Sequence, residues 1–137
     1  MPERFTAEAP APMVQRMLAQ SSNAAGLESV ALGNESSAIG NDALAIGTMA
    51  TANGNSTTVV GGEAVATGPG ATAFGWQSGA NAERATALGH LAQANDLRST
   101  AVGEAASATG VESVAVGNEA VANGVDALAI GTMSAAN

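Results

Sequence analysis

Gly33, Gly47, Gly61, Gly75, Gly89, Gly103, Gly117 and Gly131 stand 14 residues apart without exception, and a chain with that period has few ways to fold. Five residues after each of them stands alanine, at 38, 52, 66, 80, 94, 108, 122 and 136. Halfway round the period a second glycine column runs through Gly40, Gly54, Gly68, Gly110 and Gly124, broken by Ala82 and Asp96. Each period therefore carries two turns and leaves room for two strands of about five residues, too short to stand alone. The period excludes the helical repeats, whose units run to about 33 to 45 residues. Eight coils follow, with a partial one before Gly33.

The residues before each glycine define the strands. In Ser29-Val30-Ala31-Leu32, Ala43-Leu44-Ala45-Ile46, Ala71-Thr72-Ala73-Phe74 and Ser113-Val114-Ala115-Val116, small and larger side chains alternate. That is the two-residue periodicity of a strand, and here both faces read as buried. In the other half-period the third and fifth residues after the glycine are small, as in Ala64 and Ala66, while the residue between them varies. Such a strand has one face in a narrow space and the other in water. The expected fold is all-β, a two-sheet roll of 14-residue repeats. Within it the bulkier column of Val30, Leu32, Leu44 and Ile46 is placed inside, and the Ala and Ser column lies against a neighbouring chain. The reverse assignment stays open, because alternation alone does not separate the two. At about 4.8 Å per coil, eight coils make a rod on the order of 40 Å long.

Composition agrees with a thin, layered fold. The apolar fraction is 46%, yet there are only two Phe, one Trp and no Tyr. Alanine and valine bury little area apiece at roughly 25 cal/mol per Å². Stability has to come from repeated layers or from burial against further copies. A net charge of −8 leaves no basic stripe for a polyanion, so nucleic acid is not an expected partner. Without cysteine, disulfides, thiol catalysis and Cys-based zinc sites are excluded.

No run approaches the ~20 apolar residues of a membrane helix. The start, Met1-Pro2-Glu3-Arg4-Phe5, lacks the features of a signal peptide, and Ala136-Asn137 ends within a repeat. The chain is therefore expected to be a piece of any secreted parent. Residues 1–18, with Pro2, Pro10 and Pro12, fall outside the repeat and are expected to be extended or disordered, with the roll over 19–137. Met13-Val14 and Met17-Leu18 suggest one amphipathic turn covering the first coil. Residues 117–137 match 33–53 at 15 of 21 positions, an offset of 84 residues or six coils, so duplication has lengthened the rod.

Ser29-Val30-Ala31-Leu32-Gly33, Ser113-Val114-Ala115-Val116-Gly117 and the Ala-Leu-Ala-Ile-Gly copies at 43–47 and 127–131 resemble the YadA-like head repeat of trimeric autotransporter adhesins. The resemblance runs from about Gly26 to the end. It implies a left-handed parallel β-roll in a homotrimer, on a stalk anchored in a Gram-negative outer membrane through a C-terminal region outside this chain. It also implies a partner on the host cell surface or in extracellular matrix, protein or glycan. In the best-known heads the motif begins with Asn and goes with collagen binding. Here Glu28 and Glu112 precede the serines, so the implication carries over for adhesion and not for collagen.

Aromatic and basic residues crowd into the two coils where the second glycine column breaks. Trp76, Arg84, His90 and Arg98 form the candidate binding patch, being residue types that dominate recognition. The plainer reading is that broken turns need larger residues to refill space, with Phe74 in the interior column. Arg84, Arg98, Glu112 and Asp126 share one column, which predicts an ion pair between Arg98 and Glu112. His90, the single histidine, is more often a solvated side chain than a metal ligand shared by three copies.

No catalytic, cofactor or metal constellation is evident: the carboxylates Glu35, Glu63, Glu104 and Glu119 fall in turns. Two other functions compete. A trimeric glycan-binding or glycan-cleaving fibre would need paired acids, for which Glu83 and Asp96 are the nearest candidates. An ice-binding solenoid is suggested by Thr58, Thr72, Thr86 and Thr100 in one column, although Val30, Leu44, Val114 and Leu128 interrupt it and it reads as buried.

Overall fold

The structure, a computed structural model, describes residues 16, 17 and 20–137. Among these, eighteen short strands alternate between two parallel nine-stranded sheets, and there is no helix. Every pairing is offset by one period: Val30 lies beside Leu44, Ala31 beside Ala45 and Leu32 beside Ile46. The first sheet is built from strands such as Val30–Leu32 and Leu44–Ile46, the second from pairs such as Ser37–Ala38 and Thr51–Ala52. The strands are thus three and two residues long rather than five. The difference is taken up by the turns, which use four residues each.

Both turns of a coil close with the same bond, from the fourth residue's N–H to the first residue's carbonyl: Ser36 to Gly33 at 3.1 Å, Ala43 to Gly40 at 3.3 Å. The third residue of each turn is left-handed. Glu35, Asp42, Met49 and Glu63 have φ between 55° and 58°, the positive φ of a type II turn, where glycine is the usual occupant. A non-glycine residue there costs about 1–2 kcal/mol. The conformation points its N–H along the rod: Met49 donates to the Asn34 carbonyl at 2.9 Å and Glu63 to that of Thr48 at 2.8 Å. The ladder of backbone hydrogen bonds therefore runs through the turns as well as the strands, which offsets the local strain.

The interior is the reverse of the placement expected for the bulky column. Ala31, Ala45, Ala73, Ala87, Ala101 and Ala115 are inside and wholly buried, facing Ala52, Ala66, Ala80, Ala94 and Ala108 of the second sheet. Leu32, Ile46, Val60, Val102 and Val116 point outward and are half-buried, and Phe74 and Leu88 are exposed. The physical reason is the turn. Sheets joined at both edges by one four-residue turn lie too close for anything larger, and Val59 is the largest wholly buried side chain. Serine and threonine enter this space because a hydroxyl can bond to the first carbonyl of its own turn, as Ser29 Oγ does to the Gly26 carbonyl at 2.7 Å and Thr57 Oγ1 to that of Gly54 at 2.8 Å.

The two glycine columns have separate causes. Gly61 has φ +143°, and a Cβ there would stand 2.4 Å from the Gly75 carbonyl oxygen. Gly40 has no positive φ, yet a Cβ would stand 2.0 Å from the Gly54 carbonyl oxygen. At these glycines the stacked coils leave no volume for a methyl group, whereas Ala82 and Asp96 carry side chains where the second column breaks. At the N-terminal end strand Arg16–Met17 pairs with Val30 and Ala31, adding a rung to the first sheet. Arg16 and Met17 are thus strand residues, while Met13, Val14, Leu18 and the other residues of the expected extended segment lie outside the described residues.

Replacing Gly61 with alanine combines a disfavoured φ with a backbone clash and is expected to cost about 2 kcal/mol or more, read as a lower denaturant midpoint. Ala105, left-handed at φ 53°, gives the opposite expectation. Ala105→Gly should raise stability by up to about 1 kcal/mol in the same measurement.

Candidate ligand-binding edge

Two edges run the length of the roll, one along each line of turns. The four candidate patch residues divide between them. Trp76 and His90 each follow a glycine of the unbroken column, on one edge, whereas Arg84 and Arg98 are third in the turns of the other. Because a strand of one sheet or the other separates consecutive turns, the structure brings the candidates together as two pairs and not as one patch.

On the first edge Trp76 and His90 stack, ring centroids 5.1 Å apart and planes 14° from parallel. The spacing follows from the coil rise of about 4.8 Å, which sets identical positions of successive coils at ring-stacking distance. His90 Nδ1 lies 3.7 Å from Glu104 Oε1, an ion pair when the ring is protonated. Asn118 Nδ2 donates to Glu104 Oε2 at 3.3 Å. Four successive coils thus carry a continuous side-chain ladder, Trp76, His90, Glu104 and Asn118. One coil earlier the same position is Gly62, and a Cβ there would stand 3.3 Å from Trp76 Cδ1 and 3.8 Å from Nε1. Beside it, Gln77 Nε2 donates to Glu63 Oε2 at 2.6 Å.

The bulky residues of these coils do not refill space within broken turns. The interior beside them is still Ala73, Ala80, Ala87 and Ala94, all wholly buried, while Phe74 is 50% exposed and Trp76 45%. Phe74 is therefore a surface residue, contrary to its expected interior place. Where the second glycine column breaks, Asp96 caps its own turn: its Oδ1 accepts from Leu97 N at 2.7 Å and its carbonyl from Ser99 Oγ at 2.6 Å.

On the opposite edge the predicted ladder pair is present. Arg98 Nη1 donates to Glu112 Oε1 at 2.6 Å, with both side chains about half exposed. Arg84 Nε lies 3.8 Å from Glu83 Oε1. The two acids nearest to a glycosidase pair are thus engaged locally, Glu83 beside an arginine and Asp96 on a backbone N–H. Among the described residues no group of three or more His, Cys, Asp or Glu could hold a metal, and no helix is long and apolar enough to cross a membrane.

Gly62 and Gln77 were not among the candidate residues read from the sequence, and Glu63 and Glu104 were read there only as turn carboxylates. A signal existed: the position after the unbroken glycine reads Asn34, Thr48, Gly62, Trp76, His90, Glu104, Asn118 and Thr132, and Gly62 alone lacks a side chain.

These parallel coils, with paired turns and a methyl-thin interior, define a repeat-built β-roll domain. A family model for the YadA head domain repeat matches residues 20–36, 38–64, 52–78, 66–92, 80–106, 94–120 and 108–134. The chain belongs to the YadA head domain family. From residue 38 onward the matches advance by 14 residues, the length of one coil. The family is one of surface-exposed adhesins of the trimeric autotransporter type and not of enzymes. Among curated proteins a sequence search finds no match.

The exposed Arg98–Glu112 pair is expected to show a coupling of about 0.2–1 kcal/mol in a double-mutant cycle of Arg98→Ala and Glu112→Ala, shrinking as salt is raised.

Proposed function

We propose that this chain is the head of a homotrimeric adhesin that attaches a Gram-negative bacterium to host cells or extracellular matrix. In this reading the full protein carries a C-terminal outer-membrane anchor, and the head presents its turn edges to the partner. The observation that carries it is the outward face of the first sheet. Leu32, Ile46, Val60, Phe74, Leu88, Val102 and Val116 form one apolar column on successive coils, a stripe about 30 Å long. Soluble monomers rarely leave so extended an apolar strip uncovered.

A second copy is the natural cover. Copies placed side by side about an axis parallel to the rod meet coil against like coil, so every rung of the stripe finds an apolar partner and the arrangement closes. Family membership supports three as the number of copies. The column of Thr58, Thr72, Thr86 and Thr100 is half-buried on this same face, pointing away from the interior. Assembly would cover it, which favours adhesion over ice binding; thermal hysteresis in solution would reverse that preference.

Light scattering is expected to give a mass about three times 13.2 kDa with a β-type far-ultraviolet spectrum. Val102→Asp, on the apolar column, should give a folded monomer or prevent assembly, whereas Ser107→Asp, on the outer face of the second sheet, should leave the mass unchanged. A folded wild-type monomer would overturn the trimeric reading.

A further inference from the structure

We infer that Gly62 and Trp76 form a slot for a neutral pyranose ring, which the stacked side chains of the first edge leave open. Along that edge the side chains from Trp76 to Asn118 touch in succession. His90 covers one face of the indole. Towards the other face the neighbouring position is Gly62, whose missing Cβ would already contact the indole. The next rung beyond is Thr48, which is exposed. Trp76 and Thr48 are two coils apart, about 9.6 Å along the rod. One ring placed at the empty rung would lie about 4.8 Å from each, matching the 5.1 Å at which His90 stacks on the far side.

The groups round this slot select among rings. The indole offers an apolar, electron-rich face, which suits the C–H face of a sugar. Hydrogen-bonding groups stand beside it: the Thr48 hydroxyl, the Trp76 N–H, and the Glu63 carboxylate with the Gln77 amide bound to it. A polyhydroxylated ring can use all of these. An acidic sugar is disfavoured, because Glu63 is the nearest charge, both Arg84 and Arg98 lie on the opposite edge, and the chain carries −8 overall. An aromatic side chain would fill the same volume but leave the polar groups unmatched. The geometry of the slot belongs to a single chain; only its role in attachment rests on the adhesin reading.

Trp76 is the sole tryptophan, so its fluorescence reports the slot directly. The full chain, in whatever assembly it forms, is titrated with the methyl glycosides of glucose, galactose, mannose and N-acetylglucosamine, and with tyrosine amide and 3′-sialyllactose. A saturable emission change with at least one methyl glycoside is expected, with weaker responses to the last two probes. Gly62→Thr restores a side chain at a position without positive φ, its Cβ 3.3 Å from Trp76 Cδ1 so that the exposed indole shifts slightly, and is expected to weaken that binding at least tenfold while the far-ultraviolet spectrum and oligomeric mass stay unchanged. Trp76→Leu, at an exposed site, provides a second loss-of-binding variant, read by saturation-transfer NMR. No response to any methyl glycoside, undiminished binding in both variants, or a stronger response to tyrosine amide would overturn the assignment. Any of these would leave the measured oligomeric mass, and with it the trimeric reading, untouched.

Discussion

The rest of this molecule depends on the closeness of its two sheets. Each coil turns back on itself twice through four residues, with the third residue left-handed, and the space enclosed holds little more than two facing methyl groups. A globular domain gains most of its stability by placing its largest apolar side chains inside. Here that route is closed by geometry. The interior is alanine, with serine and threonine admitted where their hydroxyls reach a turn carbonyl, and the larger apolar residues are turned outward.

Two consequences follow from one constraint. Cohesion within the chain comes from the continuous ladder of backbone hydrogen bonds, which passes through the turns because the left-handed residues aim their N–H groups at the preceding coil. The larger apolar residues of the first sheet, Val59 apart, have no place inside and form a stripe whose cover lies outside the chain. A fold that excludes bulky residues from its own core thus creates a surface suited to its copies. Length is free in such an architecture, since each coil contacts chiefly its neighbours, and the near-repeat of residues 33–53 at 117–137 shows that freedom used.

The same spacing organises the edges. Identical positions on successive coils come within side-chain reach, so a residue's partner is found 14 positions away: Arg98 with Glu112, Trp76 with His90, His90 with Glu104, Glu63 with Gln77. A single glycine in such a column opens one rung. Surface chemistry on this fold is therefore written along columns, and residues close in sequence, such as Trp76 and Arg84, are held on opposite edges.

Much of this was legible in the sequence alone. The 14-residue period, two turns per coil, the parallel strands and the Arg98–Glu112 pair all follow from periodicity, because translation along a solenoid converts a sequence repeat directly into a spatial neighbour. Family membership was also visible, in motifs such as Ser113-Val114-Ala115-Val116-Gly117. The inward face was not. Alternation of Ala31 with Leu32 establishes two faces but carries no sign, and the usual preference for bulk inside points the wrong way when the sheets are this close. Nor could the sequence divide Trp76 and His90 from Arg84 and Arg98, or show the open rung at Gly62. Those outcomes depend on the separation between sheets and on which edge each turn occupies, quantities that exist only once the chain has closed on itself in three dimensions.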